Sequence, residues 1–241
     1  GKTGLDAAKG IDIINEAPKL YKSNIEYPDT NIAKQLKGVA QVHFADFGTR
    51  IFYVNHGGFD THTNEVVLQE YLWQQLSDAL SSFFEDLKEH NKGKEVLVFI
   101  FSEFGRRIDD NGTGTDHGSG GVSFLIGESV KGGHYNEYPS LDPSERVEGD
   151  LKFNFDFRGL YSDILEDWLS IESKEIVGGN FEKIKSEHKD ALTPAELRGV
   201  VGDYLRSNNI EYRSKTKESN YRSSKIMVAI YYYKRRPLRQ S

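Results

Sequence analysis

Residues Val96 to Phe101, VLVFIF, form an unbroken apolar run rich in β-branched and aromatic side chains. Such a run predicts a short strand buried on both faces. It stops abruptly at Ser102-Glu103-Phe104-Gly105-Arg106-Arg107. A loop is expected next, with glycines at 112, 114, 118, 120 and 121 and the adjacent pair Asp116-His117. In α/β proteins ligands bind beyond the carboxyl ends of parallel strands, so a buried strand that delivers charged residues into a glycine-rich segment marks a candidate site.

A second strand is expected at Arg50 to Val54, emptying into Asn55-His56-Gly57-Gly58-Phe59-Asp60-Thr61-His62. Between the two strands, Leu68, Leu72, Leu76, Leu80, Phe83, Phe84 and Leu87 recur at helical spacing. They predict a long amphipathic helix over roughly 65–90, capped by Asn64 or Thr63 and stopped near Gly93. Residues 50–101 therefore read as a strand-helix-strand unit. Crossovers of this kind make parallel neighbours and are nearly always right-handed. Both strands should end on one sheet edge, with the two glycine-rich loops facing each other.

Around this unit, residues 5–16 predict a weak helix ending before Pro18, and Pro28-Asp29-Thr30 introduce another that closes at Gly48. Val122 to Ile126 reads as a buried strand and 151–155 as an edge strand. Asp156-Phe157-Arg158 opens a helix with an inward face of Leu160, Tyr161, Ile164, Leu165, Trp168 and Leu169. Thr193-Pro194-Ala195-Glu196 is a capping box with proline at the first helical position. Beyond Tyr212 the sequence turns basic and ends in one strand-like run, KIMVAIYYY, flanked by Lys and Arg, which could be an edge strand, an interaction arm or residues foreign to the domain. The expected division is 1–185 as the main domain and 186–241 as a helical extension with a basic tail.

Composition narrows the function. The chain has 241 residues, 37% hydrophobic and 28% charged, and a net charge of -6. That balance disfavours nucleic acid or an anionic membrane as the main partner. There is no cysteine, which excludes disulfides, zinc knuckles and a cysteine nucleophile. No apolar run approaches the ~20 residues of a membrane helix. The sole methionine is Met227 and the first residue is Gly1, so an upstream segment, including any targeting signal, is expected to precede the sequence.

Asp60 and His62 are two apart and point the same way in extended backbone. Asp116 and His117 lie in the second segment, and Glu103 sits just past the buried strand. Carboxylates and imidazoles without thiolate suit Zn, Mn or Fe, or Mg or Ca where carboxylates dominate. A metal pair held there would suit hydrolysis of phosphate or sulfate esters. Each residue also has a structural reading: Asp60 could cap the Thr63 turn, and Asp116 could be an Asx-turn residue. Five of the seven histidines (43, 56, 62, 117 and 134) fall in or near these loops and the preceding helix. Arg106, Arg107 and Arg158 could hold an anion bidentately, or Arg158 could pair with Asp156 or Asp163. Arg106 and Arg107 cannot both face inward in extended backbone. Thr61, Ser102 and Ser119 are candidate hydroxyl nucleophiles, but none sits in a Gly-x-Ser-x-Gly elbow.

GGFDTH at 57–62, SEFGRR at 102–107, NGTGTDHGSGG at 111–121, VKGGHYNEYPSL at 130–141 and DFRGLYSDILEDWL at 156–169 together resemble the bacterial domain of unknown function 1501 family. The resemblance covers roughly residues 28–182. It implies an alkaline-phosphatase-like (sulfatase-like) α/β fold, a three-layer sandwich with a mostly parallel sheet, here expected as the C-terminal portion without the N-terminal part that carries a nucleophile. It also implies export from the cytoplasm and two divalent metals bound by Asp and His at strand ends. By position, Asp60 and His62 resemble one ligand cluster and His117 a later ligand. Glu103 stands where relatives carry the Asp of an Asp-His-Gly motif, with Phe104 in place of its His. The expected ligand set is Asp60, His62, Glu103, Asp116 and His117, with Arg106 orienting a small anionic ester. The alternative is a non-catalytic exported binding or scaffold protein on the same fold.

Overall fold

The computed structural model describes residues 2–184 and 225–232. In chain order the elements are α1 (Lys2–Leu20), α2 (Asn31–Phe44), β1 (Ile51–Gly57), α3 (Glu65–Glu89), β2 (Val96–Ser102), β3 (Gly105–Asp110), β4 (Thr115–Gly118), β5 (Phe124–Ile126), α4 (Phe157–Asp163), α5 (Lys174–Val177) and β6 (Lys225–Tyr232). This is a mixed α/β arrangement with one four-stranded sheet, ordered β1-β6-β2-β5, and one two-stranded ribbon, β3-β4. The capping box at 193–196 lies outside the described residues.

β2 is the expected strand buried on both faces. Val96, Val98 and Ile100 point into a core built with Ile32 and Leu36 of α2 and Leu76, Leu80, Phe83 and Leu87 of α3. Leu97 and Phe99 point the other way, against Leu160, Ile164, Trp168 and Leu169. Alternation along one strand thus feeds two cores, because successive side chains of a strand leave opposite faces. α3 keeps the predicted stripe: Leu72, Leu76, Leu80, Phe83, Phe84 and Leu87 are all buried. α2 starts at Thr30, whose hydroxyl accepts from the Ala33 N–H, as a capping threonine should.

The sheet departs from the expected mostly parallel sandwich. Every strand pairing in it is antiparallel. β1 and β2 do run in the same direction, as their helical crossover requires, but they are not neighbours. β6 lies between them, antiparallel to both, with Ala229 opposite Tyr53 on one side and Phe99 on the other. The strand-like run of the basic tail is therefore an interior strand and not an edge. The edges are β5 and β1, and the β1 backbone at Asn55 is covered by Gln35 of α2: the Gln35 amide donates to the Asn55 carbonyl at 2.9 Å and accepts its N–H at 3.2 Å. Side-chain cover of this kind blunts a strand edge.

Other boundaries shift for local reasons. α1 continues through Pro18, which has no N–H to give the Ile14 carbonyl, and ends two residues later at Leu20. The glycine-rich segment after β2 is a hairpin, β3-β4, and not an open loop. Residues 151–155 form no strand. α4 is capped by Asp156 and passes into one π-helical turn, Ile164–Trp168, where the Leu169 N–H reaches back to the Ile164 carbonyl at 3.0 Å. Among the described residues no helix is long and apolar enough to cross a membrane.

Candidate metal centre at the sheet edge

β1 and β2 end on the same edge, with Gly57 opposite Lys225 and Ser102 opposite Ile226. The segment after β1 turns at Gly58, whose φ of +102° favours glycine and where an added Cβ would stand 3.2 Å from Leu72. Phe59 then anchors in the core against Trp73. This fixes the next three residues: Thr61 is buried, while Asp60 and His62 face the hairpin.

The hairpin supplies the other half. Asn111 accepts the Thr113 and Gly114 N–H groups, closing the turn, and its own amide donates to the His62 carbonyl at 3.0 Å. Gly114 permits the approach. A Cβ there would lie 2.8 Å from the His62 carbonyl carbon and oxygen and from the Thr61 carbonyl oxygen. His117 of β4 is consequently brought to the first segment.

Oδ1 of Asp60 lies 2.7 Å from Nε2 of His62 and 2.7 Å from Nε2 of His117. The two imidazoles stack with centroids 4.9 Å apart. These three residues offer ligand atoms that all lie within 4.8 Å of one another. Behind them, Nδ1 of His62 lies 2.9 Å from Oδ1 of Asp116. Asp116 thus stands on the far side of the ring from Asp60. An imidazole that meets a carboxylate at one nitrogen while presenting the other to a shared point has the carboxylate–histidine–metal pattern. Hydrogen bonding from His117, with the nearby His62, holds the Asp60 carboxyl below the usual carboxylate range, and hydrogen bonding from His62 does the same for Asp116. Both are therefore ionised at neutral pH.

Not every expected residue joins the cluster. Glu103 follows β2 beside the Ser102 hydroxyl and near Tyr53, outside the three-residue group. Arg106 is inward and Arg107 exposed, as the alternation of β3 demands. Its guanidinium, however, is spent on the scaffold. It donates to the Thr115 carbonyl at 2.6 Å, to the Phe59 carbonyl, and to the Thr61 hydroxyl at 3.0 Å, and it lies 3.5 Å from Glu65. Of five guanidinium N–H groups, little remains for a bidentate grip on an anion. Arg106 pins the β1 loop, the hairpin and the first turn of α3 together. Arg158 pairs with Asp156 at 2.6 Å, the local reading of that residue.

The histidine count overstated the site. His56 is buried and its Nε2 meets the Leu72 carbonyl at 3.1 Å; burial pushes its pKa down, so it is a neutral core histidine. His43 faces Glu95 at 3.7 Å, and His134 is exposed beside Tyr138. The Thr61 hydroxyl accepts from Gln69 as well as Arg106, and Ser119 is bonded to the Leu151 carbonyl. Sequence reasoning missed Phe104 and Glu65. Phe104 stacks on His117 at 3.7 Å and carries the Arg106 guanidinium 5.2 Å from its centroid, so it sets the plane of that imidazole. Glu65 accepts the Thr115 hydroxyl at 2.8 Å and ties α3 to β4. An aromatic two residues before an inward arginine carries no sequence signal for such a role.

No curated protein and no solved structure matches the chain. Residues 3–147 match the family model described as "Protein of unknown function (DUF1501)", a span that holds Asp60, His62, Glu103, Arg106, Asp116 and His117 and stops short of the 156–169 motif. On that match the chain belongs to the DUF1501 family.

Proposed function

We propose that this chain is a metal-dependent, hydrolase-like domain related to the alkaline-phosphatase and sulfatase group, exported by its host and acting on a small phosphate or sulfate ester. The observation that supports the metal is the convergence of Asp60, His62 and His117 on one point, with Asp116 behind His62. A divalent ion fits this set, since it replaces the protons that otherwise sit between one carboxylate oxygen and two imidazole nitrogens. Mixed carboxylate and imidazole donors favour Zn or Mn over Mg or Ca. When bound, such an ion supplies Lewis acidity toward an ester oxygen. The chain's own residues do the rest: Asp60 provides the charge, Asp116 fixes the His62 ring, Phe104 fixes the His117 ring, and Arg106 holds the two segments in register.

The reaction class rests on the family resemblance. The commitment of Arg106 to backbone carbonyls favours a second reading, an exported metal-binding protein without hydrolysis. Metal content and ester hydrolysis separate them. Wild-type protein loaded with Zn or Mn should hold one equivalent more than the His62→Ala, His117→Ala double variant, and should hydrolyse p-nitrophenyl phosphate or sulfate where the double variant does not. Metal binding without turnover selects the second reading. Equal metal content in the two proteins rejects both.

A further inference from the structure

At the opposite end of α3 from the candidate centre, a second group of metal-ligating side chains gathers: Asp86 and Glu89 of the last turn and His90 at its cap. Each offers a ligand atom, and these lie within 4.8 Å of one another. Asp86 is fully buried. Its Oδ2 accepts two phenols, Tyr21 at 2.6 Å and Tyr27 at 2.8 Å, but its Oδ1 accepts no hydrogen bond and stands 3.2 Å from Nδ1 of His90. An ionised carboxylate oxygen with no donor, sealed from water, is costly.

His90 sharpens the difficulty. Its Nε2 lies 2.8 Å from the Lys22 carbonyl, which can only accept, so Nε2 carries a proton. In neutral imidazole Nδ1 then holds a lone pair. That lone pair faces the Asp86 backbone carbonyl at 2.9 Å and the Asp86 Oδ1 at 3.2 Å. In that neutral form three electron-rich atoms would confront one another with nothing positive between them. Glu89 adds a fourth donor group, held in place by Ser23 at 2.9 Å and by the Asn24 amides. The carboxyl end of a helix also favours a cation.

We propose that Asp86, Glu89 and His90 bind a divalent transition ion, Zn or Mn, with the Asp86 carbonyl as a further oxygen donor and the Nε2–H···O=C bond to Lys22 orienting the ring. The ion ties the linker between α1 and α2, through Tyr21 to Tyr27, onto the end of α3. This site is independent of the Asp60 centre. The competing arrangement is a second proton on His90, an imidazolium in place of the ion.

The test uses the full chain carrying His62→Ala and His117→Ala, which removes the first centre. After chelator treatment it should take up one equivalent of Mn(II), read from the free-ion electron paramagnetic resonance signal. Adding Glu89→Gln and His90→Gln should abolish that uptake. In the parent double variant, bound Mn(II) should also broaden the proton resonances of Phe44, whose ring stacks on His90 at 4.0 Å, a readout that needs no further substitution. No uptake by the double variant, uptake unchanged by the Glu89 and His90 changes, or sharp Phe44 resonances would each overturn the proposal in favour of the imidazolium.

Discussion

Arg106 offers a direct test of whether it grips a substrate or holds the scaffold. Replacing it with methionine keeps most of the stem's packing and removes every donor. The Phe59 and Thr115 carbonyls, the Thr61 hydroxyl and the Glu65 carboxylate would each lose a partner, in a place where the Arg106 and Glu65 side chains are only 22% and 15% exposed. A hydrogen bond to a charged group is worth about 1.5–3 kcal/mol. These bonds share one side chain and water can reach part of the site, so they do not add, and a net loss of about 3 kcal/mol is expected. For a domain of this size about 1 kcal/mol moves the melting midpoint by about 2–4 °C, so Arg106→Met should melt about 6–12 °C lower. Arg107→Met, one residue along on the exposed face, should stay within about 0.5 kcal/mol of wild type. Thermal melts followed by circular dichroism, with urea titrations for the free energies, read both. If Arg106→Met and Arg107→Met melt together, the pinning role is wrong and Arg106 is free to serve a ligand.

Gly114→Ala places a Cβ against three backbone atoms, none of which can swing aside, and should cost about 1–3 kcal/mol in urea titration. Asp116→Asn keeps an acceptor for His62 but loses its charge; Mn(II) affinity at the Asp60 centre should fall about 10–100-fold with the melting midpoint unchanged, since the Asp116 side chain is largely exposed. Asp156 caps α4 and its carboxyl is lowered to about 2, chiefly by its hydrogen bonds to Arg158. A depressed folded-state value means this stabilisation is complete above the unfolded value of about 4 and is lost as pH falls through about 2. The stability gap between wild type and Asp156→Asn should therefore be present at pH 6 and close as pH falls toward 2; a gap independent of pH refutes the charge contribution.

Much of the centre was legible because its residues obey short-range rules. Asp60 and His62 share a side by the two-residue period, and Asp116-His117 sits in a glycine-rich segment that can approach another chain segment closely. What sequence hid was which nitrogen faces which carboxylate. His117 and Asp116 are adjacent yet divide their labour, one meeting Asp60 directly and the other meeting His62 from behind, because β4 sends successive side chains to opposite sides. Arg106 was hidden for a related reason. Its inward direction follows from alternation, but its partners depend on the pairing of Arg106 with His117 across the hairpin, a register that no local motif specifies. His56 misled because a histidine at a strand end before two glycines looks like a ligand, while its alternation with Val54 puts it in the core.

The sheet explains why His117 reaches Asp60 while Glu103, expected in the same ligand set, stays outside the group. The crossover through α3 fixes the direction of β1 and β2 and brings their ends to one edge, and both consequences hold. It does not fix adjacency, which belongs to whichever strand satisfies the backbone groups between them. β6 does so, bonding along β1 from Gly57 to Ile51 and along β2 from Ser102 to Val96. Neighbouring strands lie about 4.8 Å apart, so one interposed strand sets the ends of β1 and β2 about 10 Å apart. Glu103, just past β2, begins on the far side of that gap from Asp60, just past β1. The ribbon β3-β4 crosses it, carrying His117 back to Asp60 while Arg106 locks the ribbon to the β1 loop. A ligand set drawn from strand ends alone would favour Glu103; a set that includes the returning hairpin favours His117, and the geometry around Asp60 is built from the hairpin.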